Sequence, residues 1–161
     1  MAESNSSYAR TKGNISKAKS NGKDLKINNK STDNKNQIRA LVVDDDIDIC
    51  NLTRMVLQKE GFDVNGFTDP LLALERFRAN CDSCDIVISD LRMPAMNGIE
   101  FLQNIKKVKP KTKVLLMSAF TIEGDPEYAG LFEQTKINGF IQKPVSMRHL
   151  TRTIKSHLKR M

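Results

Sequence analysis

The chain has 161 residues and a net charge of +7, enough for one domain of ordinary size plus an appendage. No apolar run comes near the roughly 18 residues a membrane-spanning helix needs. Three cysteines, Cys50, Cys81 and Cys84, are too few and too odd a set for a disulfide framework; with no signal peptide in the sequence, a reducing cytoplasm is the expected setting.

Residues 1–37 are built from Ser, Asn, Lys and Gly with only scattered Ile15, Leu25 and Ile27, and hold eight Lys/Arg against three Asp/Glu. So little apolar surface cannot offset the entropy of ordering, and a disordered basic tail is expected. The tail accounts for most of the net charge. It could be drawn to nucleic acid or an anionic surface by phosphate attraction, but it carries no evident sequence readout. Rich in Lys and Asn with a single Arg, it does not read as a mitochondrial presequence.

From Ile38 the apolar residues recur regularly. Arg39 to Val43 reads as a strand, followed by helical spacing with Ile49, Leu52, Val56 and Leu57 on one face, capped by Asp45 or Asp46 and stopped by Gly61. A short strand spans Val64 to Phe67. Asp69-Pro70 then supplies a capping acid and a first-turn proline to a second helix carrying Leu71, Leu74 and Phe77. Asp85 to Ser89 is the third strand. After a loop with Pro94 and Gly98, a helix buries Ile99, Leu102 and Ile105 and closes at Lys109-Pro110-Lys111. Lys113 to Met117 is the fourth strand, Phe120 to Gly124 is irregular, and Asp125-Pro126 opens a helix through Tyr128, Leu131 and Phe132. Gly139 to Gln142 is the fifth strand, and Ser146 caps a last helix carrying Leu150, Ile154 and Leu158. Cys81-Asp82-Ser83-Cys84 has neither a second pair nor a nearby His for zinc, so two loop thiols are expected there.

Strand and helix alternate five times, which argues for an α/β fold with a parallel sheet and right-handed crossovers. Its central strands are near-continuous Val/Ile/Leu runs, as strands covered on both faces should be. Four of them end on polar groups: Asp44-Asp45-Asp46, Asp90, Ser118 and Lys143. In a parallel sheet these ends share one edge, where open α/β sheets bind ligands.

Three adjacent acids cannot all face one site; Asp44 and Asp45 are placed to point across the edge, while Asp46 caps the helix. Crowded carboxylates repel unless a cation joins them, and oxygen donors with room for water suit Mg²⁺ or Mn²⁺. A carboxylate beside such an ion, here Asp90, can act as a nucleophile toward phosphorus and form an acyl phosphate. Ser118 offers a hydroxyl and Lys143 a point charge to the phosphoryl oxygens, or to Asp90 before reaction.

With these motifs in register, residues 38–161 resemble a response-regulator receiver domain of two-component signalling. The likeness rests on the acidic pair after the first strand, Asp90 in the context Asp-x-x-Met-Pro-x-Met-x-Gly, Ser118-Ala119 after the fourth strand and Lys143-Pro144 after the fifth. It implies a flavodoxin-like, doubly wound five-stranded sheet in the order 2-1-3-4-5. It further implies that Asp90 accepts phosphate from a sensor histidine kinase or phosphotransfer protein. Mg²⁺ (or Mn²⁺) would be held by Asp44, Asp45, Asp90 and the Arg92 carbonyl, with Ser118 and Lys143 on the phosphoryl oxygens. In the family the hydroxyl and an aromatic on the fifth strand switch together; Phe140 stands at that position and lacks a hydroxyl. Arg92 and Phe120 flank the acceptor and the hydroxyl where water access is set, which implies slow autodephosphorylation. The implied protein is a self-phosphorylating acceptor rather than a turnover enzyme. Because the last helix runs to the end of the chain, its output is expected to pass through an unidentified protein target, a homodimer or the tail.

Two other readings use the same residues. A haloacid-dehalogenase-like phosphatase also combines an Asp nucleophile, Mg²⁺, Ser/Thr and Lys, but it resembles Asp-x-Asp, and Arg92 stands where the second acid belongs. A phosphorylation-independent nucleic-acid or scaffold module would act through the tail and would have no need of the chemical residues.

Overall fold

The structure, a computed structural model, describes residues 37–119 and 126–158, except for the side chains of residues 126, 127 and 129. The tail expected over 1–37 lies outside these residues but for its last position, and so does the irregular stretch from Phe120 to Gly124. Ten main elements alternate: β1 (Arg39–Val43), α1 (Ile47–Lys59), β2 (Asp63–Phe67), α2 (Pro70–Ala79), β3 (Ile86–Asp90), α3 (Gly98–Val108), β4 (Lys113–Ser118), α4 (Pro126–Thr135), β5 (Gly139–Gln142) and α5 (Met147–Leu158). A single 3₁₀ turn, Cys81–Ser83, links α2 to β3. The strands form one parallel sheet in the order β2-β1-β3-β4-β5, the order implied by the resemblance.

Successive residues of a strand face opposite sides, so each strand feeds two cores. Leu41, Val43, Val87, Val114 and Leu116 pack with α2 and α3, around the fully buried Phe101. Ala40, Val42, Ile86, Ile88, Leu115, Met117 and Ile141 pack with α1 and α5 around Leu57, Leu150 and Ile154. Each of these side chains but Ala40 contributes about 1.5–3 kcal/mol by leaving water, and the strands' Val/Ile/Leu runs follow from this two-sided burial.

Two helices present faces other than those expected. In α1 the buried residues are Cys50, Thr53 and Leu57, while Leu52 is 45% exposed. The reason lies in β2. A Cβ on Gly66 would come within 3.0 Å of Cys50 Sγ, so the helix lies close over this glycine and turns small residues, not Leu52, to the sheet. In α2 the buried set is Pro70, Ala73, Leu74 and Phe77, and Leu71 is 51% exposed. Asp69 fixes that phase, its Oδ1 accepting from Leu71 N at 2.7 Å and Leu72 N at 3.3 Å.

Register decides what happens at the sheet's carboxyl edge. Val43 lies opposite Ser89, Asp90 opposite Met117, and Ser118 opposite Gln142. The strands therefore end nearly flush, and the residues that follow them emerge side by side.

All three thiols are free. Cys84 is buried, its Sγ donates to the Ile86 carbonyl at 3.4 Å, and burial pushes its pKa up to about 11; burial raises that of Cys50 too. The thiolate is the reactive form, so at pH 8 only roughly a thousandth of Cys84 is competent. We expect a disulfide-exchange reagent at pH 8 to label one thiol, Cys81, in the native protein and all three in denaturant, with native labelling of Cys84 rising toward pH 11. Rapid labelling of three thiols at pH 8 would contradict the burial described.

Candidate functional site

The site is assembled from backbone outward. Asp44 continues β1, its N–H donating to the Phe67 carbonyl at 3.1 Å, and its side chain turns inward until the residue is 1% exposed. One carboxylate oxygen, Oδ1, accepts from Asp46 N at 3.1 Å. Asp46 caps α1, accepting from Asp48 N and Ile49 N at 2.9 and 3.2 Å, whereas Asp45 is exposed. The three adjacent acids are thus sorted by one tight turn into a buried, an exposed and a capping residue.

Asp90 ends β3, and the next residue stays paired with β4 through Leu91 N to the Met117 carbonyl at 2.8 Å. Its Oδ2 accepts from Arg92 N at 2.7 Å. Arg92 thus touches the acid through its N–H, while its side chain is exposed. The chain returns beneath this point: Gly98 N donates to the Leu91 carbonyl at 2.9 Å, and a Cβ on Gly98 would collide with the Asp90 carbonyl. Only glycine allows α3 to begin there.

Ser118 ends β4 and is 2% exposed. Lys143 N donates to its carbonyl at 2.7 Å, so the strand pair is carried one residue past β5 and the lysine side chain is aimed across the edge. Its Nζ reaches both acids, Asp44 Oδ2 at 2.6 Å and Asp90 Oδ1 at 2.5 Å. The Lys143-Pro144 peptide is cis. Gln142, which reads in the sequence as an ordinary surface residue, donates through Nε2 to the Ala119 carbonyl at 3.0 Å. It ties down the chain just past Ser118, and no sequence signal points to it.

The structure therefore brings Asp44, Asp90 and Lys143 into direct contact, with Ser118 joined through its backbone and Asp45 at the exposed rim. Phe140 lies apart, half-buried against the core on the α3 side. Burial raises the pKa of Asp44 more than its hydrogen bond and charge pairing with Lys143 lower it. For Lys143 burial pulls the other way, but hydrogen bonds and charge from Asp44 and Asp90 outweigh it and the pKa is raised. The two directions agree on one point. Two carboxylates share a single ammonium, and the site is short of positive charge.

Among the described residues no three His, Cys, Asp or Glu side chains are gathered as a metal site; Lys143 stands between the acids instead. The donor set nonetheless fits a hard divalent cation. It consists of carboxylate oxygens, each with lone pairs beyond the bonds it now accepts, beside an exposed Asp45 that keeps the rim open to water.

A family model described as the response regulator receiver domain matches residues 40–155. The chain is 31% identical over 129 residues to the alkaline phosphatase synthesis transcriptional regulatory protein SphR of Synechococcus elongatus, covering 76% of this chain and 49% of the relative. It is 34% identical over 122 residues to the CpxR homolog of Haemophilus influenzae, covering 76% and 51%. The chain spans about half the length of these curated relatives. A CheY-like receiver domain protein from Methanospirillum hungatei superposes with a TM-score of 0.71 at 26% identity, covering 77% of this chain and 95% of that one. The two-sided sheet, the acid and lysine meeting at its carboxyl edge and the match along most of the folded residues lead to one conclusion: the chain belongs to the response-regulator receiver domain family.

Proposed function

We propose that residues 38–161 work as a phospho-acceptor in a two-component phosphorelay, with Asp90 as the acceptor. The observation that carries this reading is the Lys143 ammonium held between Asp44 and Asp90 at the flush edge of the sheet. Lys143 orients Asp90 through its ammonium, and Arg92 N fixes the second carboxylate oxygen. A phosphohistidine on a sensor histidine kinase or phosphotransfer protein presents its phosphorus to Asp90. A carboxylate oxygen forms the new P–O bond as the P–N bond breaks.

Lys143 then follows the charge onto a phosphoryl oxygen, while the Ser118 hydroxyl donates to another. Positioning and charge account for most of such a rate. Asp44, Asp45, Asp90 and the Arg92 carbonyl would hold Mg²⁺ (or Mn²⁺), which when bound supplies the positive charge the site lacks. Arg92, exposed beside the acceptor, shapes the approach of water and slows loss of the acyl phosphate; Phe120, assigned the same part, lies outside the described residues.

The output we assign to the coupled movement of Ser118 and Phe140. They stand on neighbouring strands, and Phe140, like Tyr128, Leu131 and Phe132 of α4, packs against the α3-side core. A shift of one is felt under α4, where a protein target or a second copy of the chain would read it. No described helix is long and apolar enough to cross a membrane, and a cytoplasmic relay fits that composition.

Incubation with acetyl phosphate and Mg²⁺ should add one phosphoryl group by intact mass and none to Asp90→Asn; a gain that persists in Asp90→Asn sinks the assignment. Asp44 carries a charge that burial disfavours, and Lys143 keeps Asp90 as its partner without it, so Asp44→Asn should raise the metal-free thermal midpoint while abolishing Mg²⁺-dependent thermal stabilisation. A thermal melt that falls in Asp44→Asn, or an unchanged Mg²⁺ response, would show that this carboxylate has another role.

A further inference from the structure

β4 delivers Ser118 and the end of β5 delivers Lys143, the two residues assigned to the phosphoryl oxygens. Their register pairs Ser118 with Gln142, and a backbone bond runs from Lys143 N to the Ser118 carbonyl at 2.7 Å. Both strands end at this point, and a side chain takes over from the ladder. Gln142 Nε2 donates to the Ala119 carbonyl at 3.0 Å and to the Lys143 carbonyl at 3.4 Å. One carboxamide thus joins the residue that follows Ser118 to Lys143 itself.

Alternation along the strands explains why this residue can do so. Leu116 and Phe140 both pack on the α3 side, so Ser118 and Gln142, each two residues further on, project to that same side. The carboxamide therefore starts beside the chain it grips. The sheet holds Ser118 from its N-terminal side, and Gln142 holds the chain on its C-terminal side.

Stability gives this bond little reason to exist. Gln142 and Ala119 are both exposed, so water can replace either partner when the other is removed. What the bond fixes is a span, that between the backbone bearing a hydroxyl and the backbone bearing an ammonium. Among the described residues Gln142 donates to neither Asp44 nor Asp90, so it stands outside the acid–lysine bridge and acts on it through Ser118 and Lys143.

We propose that Gln142 is a positioning residue for phosphoryl transfer, holding the Ser118 hydroxyl and the Lys143 ammonium at the separation the phosphoryl oxygens require. The inference rests on the phospho-acceptor reading given above. Formation of the acyl phosphate and its hydrolysis both pass through transition states whose phosphoryl oxygens these two groups would neutralise. A clamp of fixed span lowers both barriers more than one free to open. Loss of the Gln142 bond therefore slows both steps together, whereas loss of a bond that merely favoured the resting conformation would speed formation.

The test compares the full chain with Gln142→Met, similar in length but without a donor, and Gln142→Glu, similar in shape but with oxygen in place of the amide nitrogen. Each is phosphorylated with acetyl phosphate at saturating Mg²⁺, followed by intact mass, then freed of donor to time the decay. We expect both variants to be about threefold to tenfold slower in formation and in decay, the worth of one hydrogen bond. The Mg²⁺ concentration for half-maximal rate and the thermal midpoint of the metal-free chain should stay as in the parent; a purely structural role would lower the midpoint instead. Parent-like rates in either variant, faster formation, or slowing that tracks a lowered midpoint would overturn the inference and leave Asp90 as acceptor. A parent that gains no phosphoryl group would remove the underlying reading, and this inference with it.

Discussion

Lys143 is the only cation in contact with the two buried acids among the described residues, and the carboxyl edge of the sheet is organised around it. An unpaired carboxylate in so dry a place would be strongly disfavoured. The ammonium satisfies one oxygen on each of Asp44 and Asp90, and backbone N–H groups satisfy the others. This bridge joins β1, β3 and the end of β5, strands that are not all neighbours in the sheet. It can form only because the register brings the strand ends level and because Lys143 N remains tied to Ser118.

The same bridge suits the chemistry proposed for the site. One positive charge serves two buried negative ones, with a third acid exposed beside them. Such an arrangement holds together, yet its electrostatics improve when more positive charge arrives. The proposed phospho-acceptor role calls for that property, since there the ammonium would pass from carboxylate to phosphoryl oxygen. Burial of Asp44 stores the imbalance in the folded state.

Charged side chains line both ends of the sheet. Asp44, Asp45 and Asp90 gather at the carboxyl edge around Lys143, while the opposite edge mixes lysines with Asp63 and Asp85. Lys109, on that opposite edge, donates through Nζ to the Cys81 and Cys84 carbonyls at 2.9 and 3.0 Å. These cations therefore close loops and helix ends, as Lys106 does at the end of α3.

Much of this was legible in the chain itself. The alternation of apolar runs with helical spacing fixed the α/β class, because strands covered on both sides must be apolar throughout and helices need a periodic stripe. The capping chemistry of Asp46, Asp69 and Ser146 marked helix starts, since those contacts are local. Asp90, Ser118 and Lys143 stood out because each follows an apolar strand. What the sequence could not decide were matters of contact between distant segments. Cys50 and Thr53, not Leu52, face the sheet because Gly66 on another element lets the helix come close. Of three consecutive acids, composition cannot say which is buried; the turn after β1 and the reach of a lysine 99 residues away choose Asp44. Gln142 gains its part only from neighbours brought together by folding. Local periodicity and capping are written in consecutive residues; partnership across the sheet exists only once register and helix phase are set.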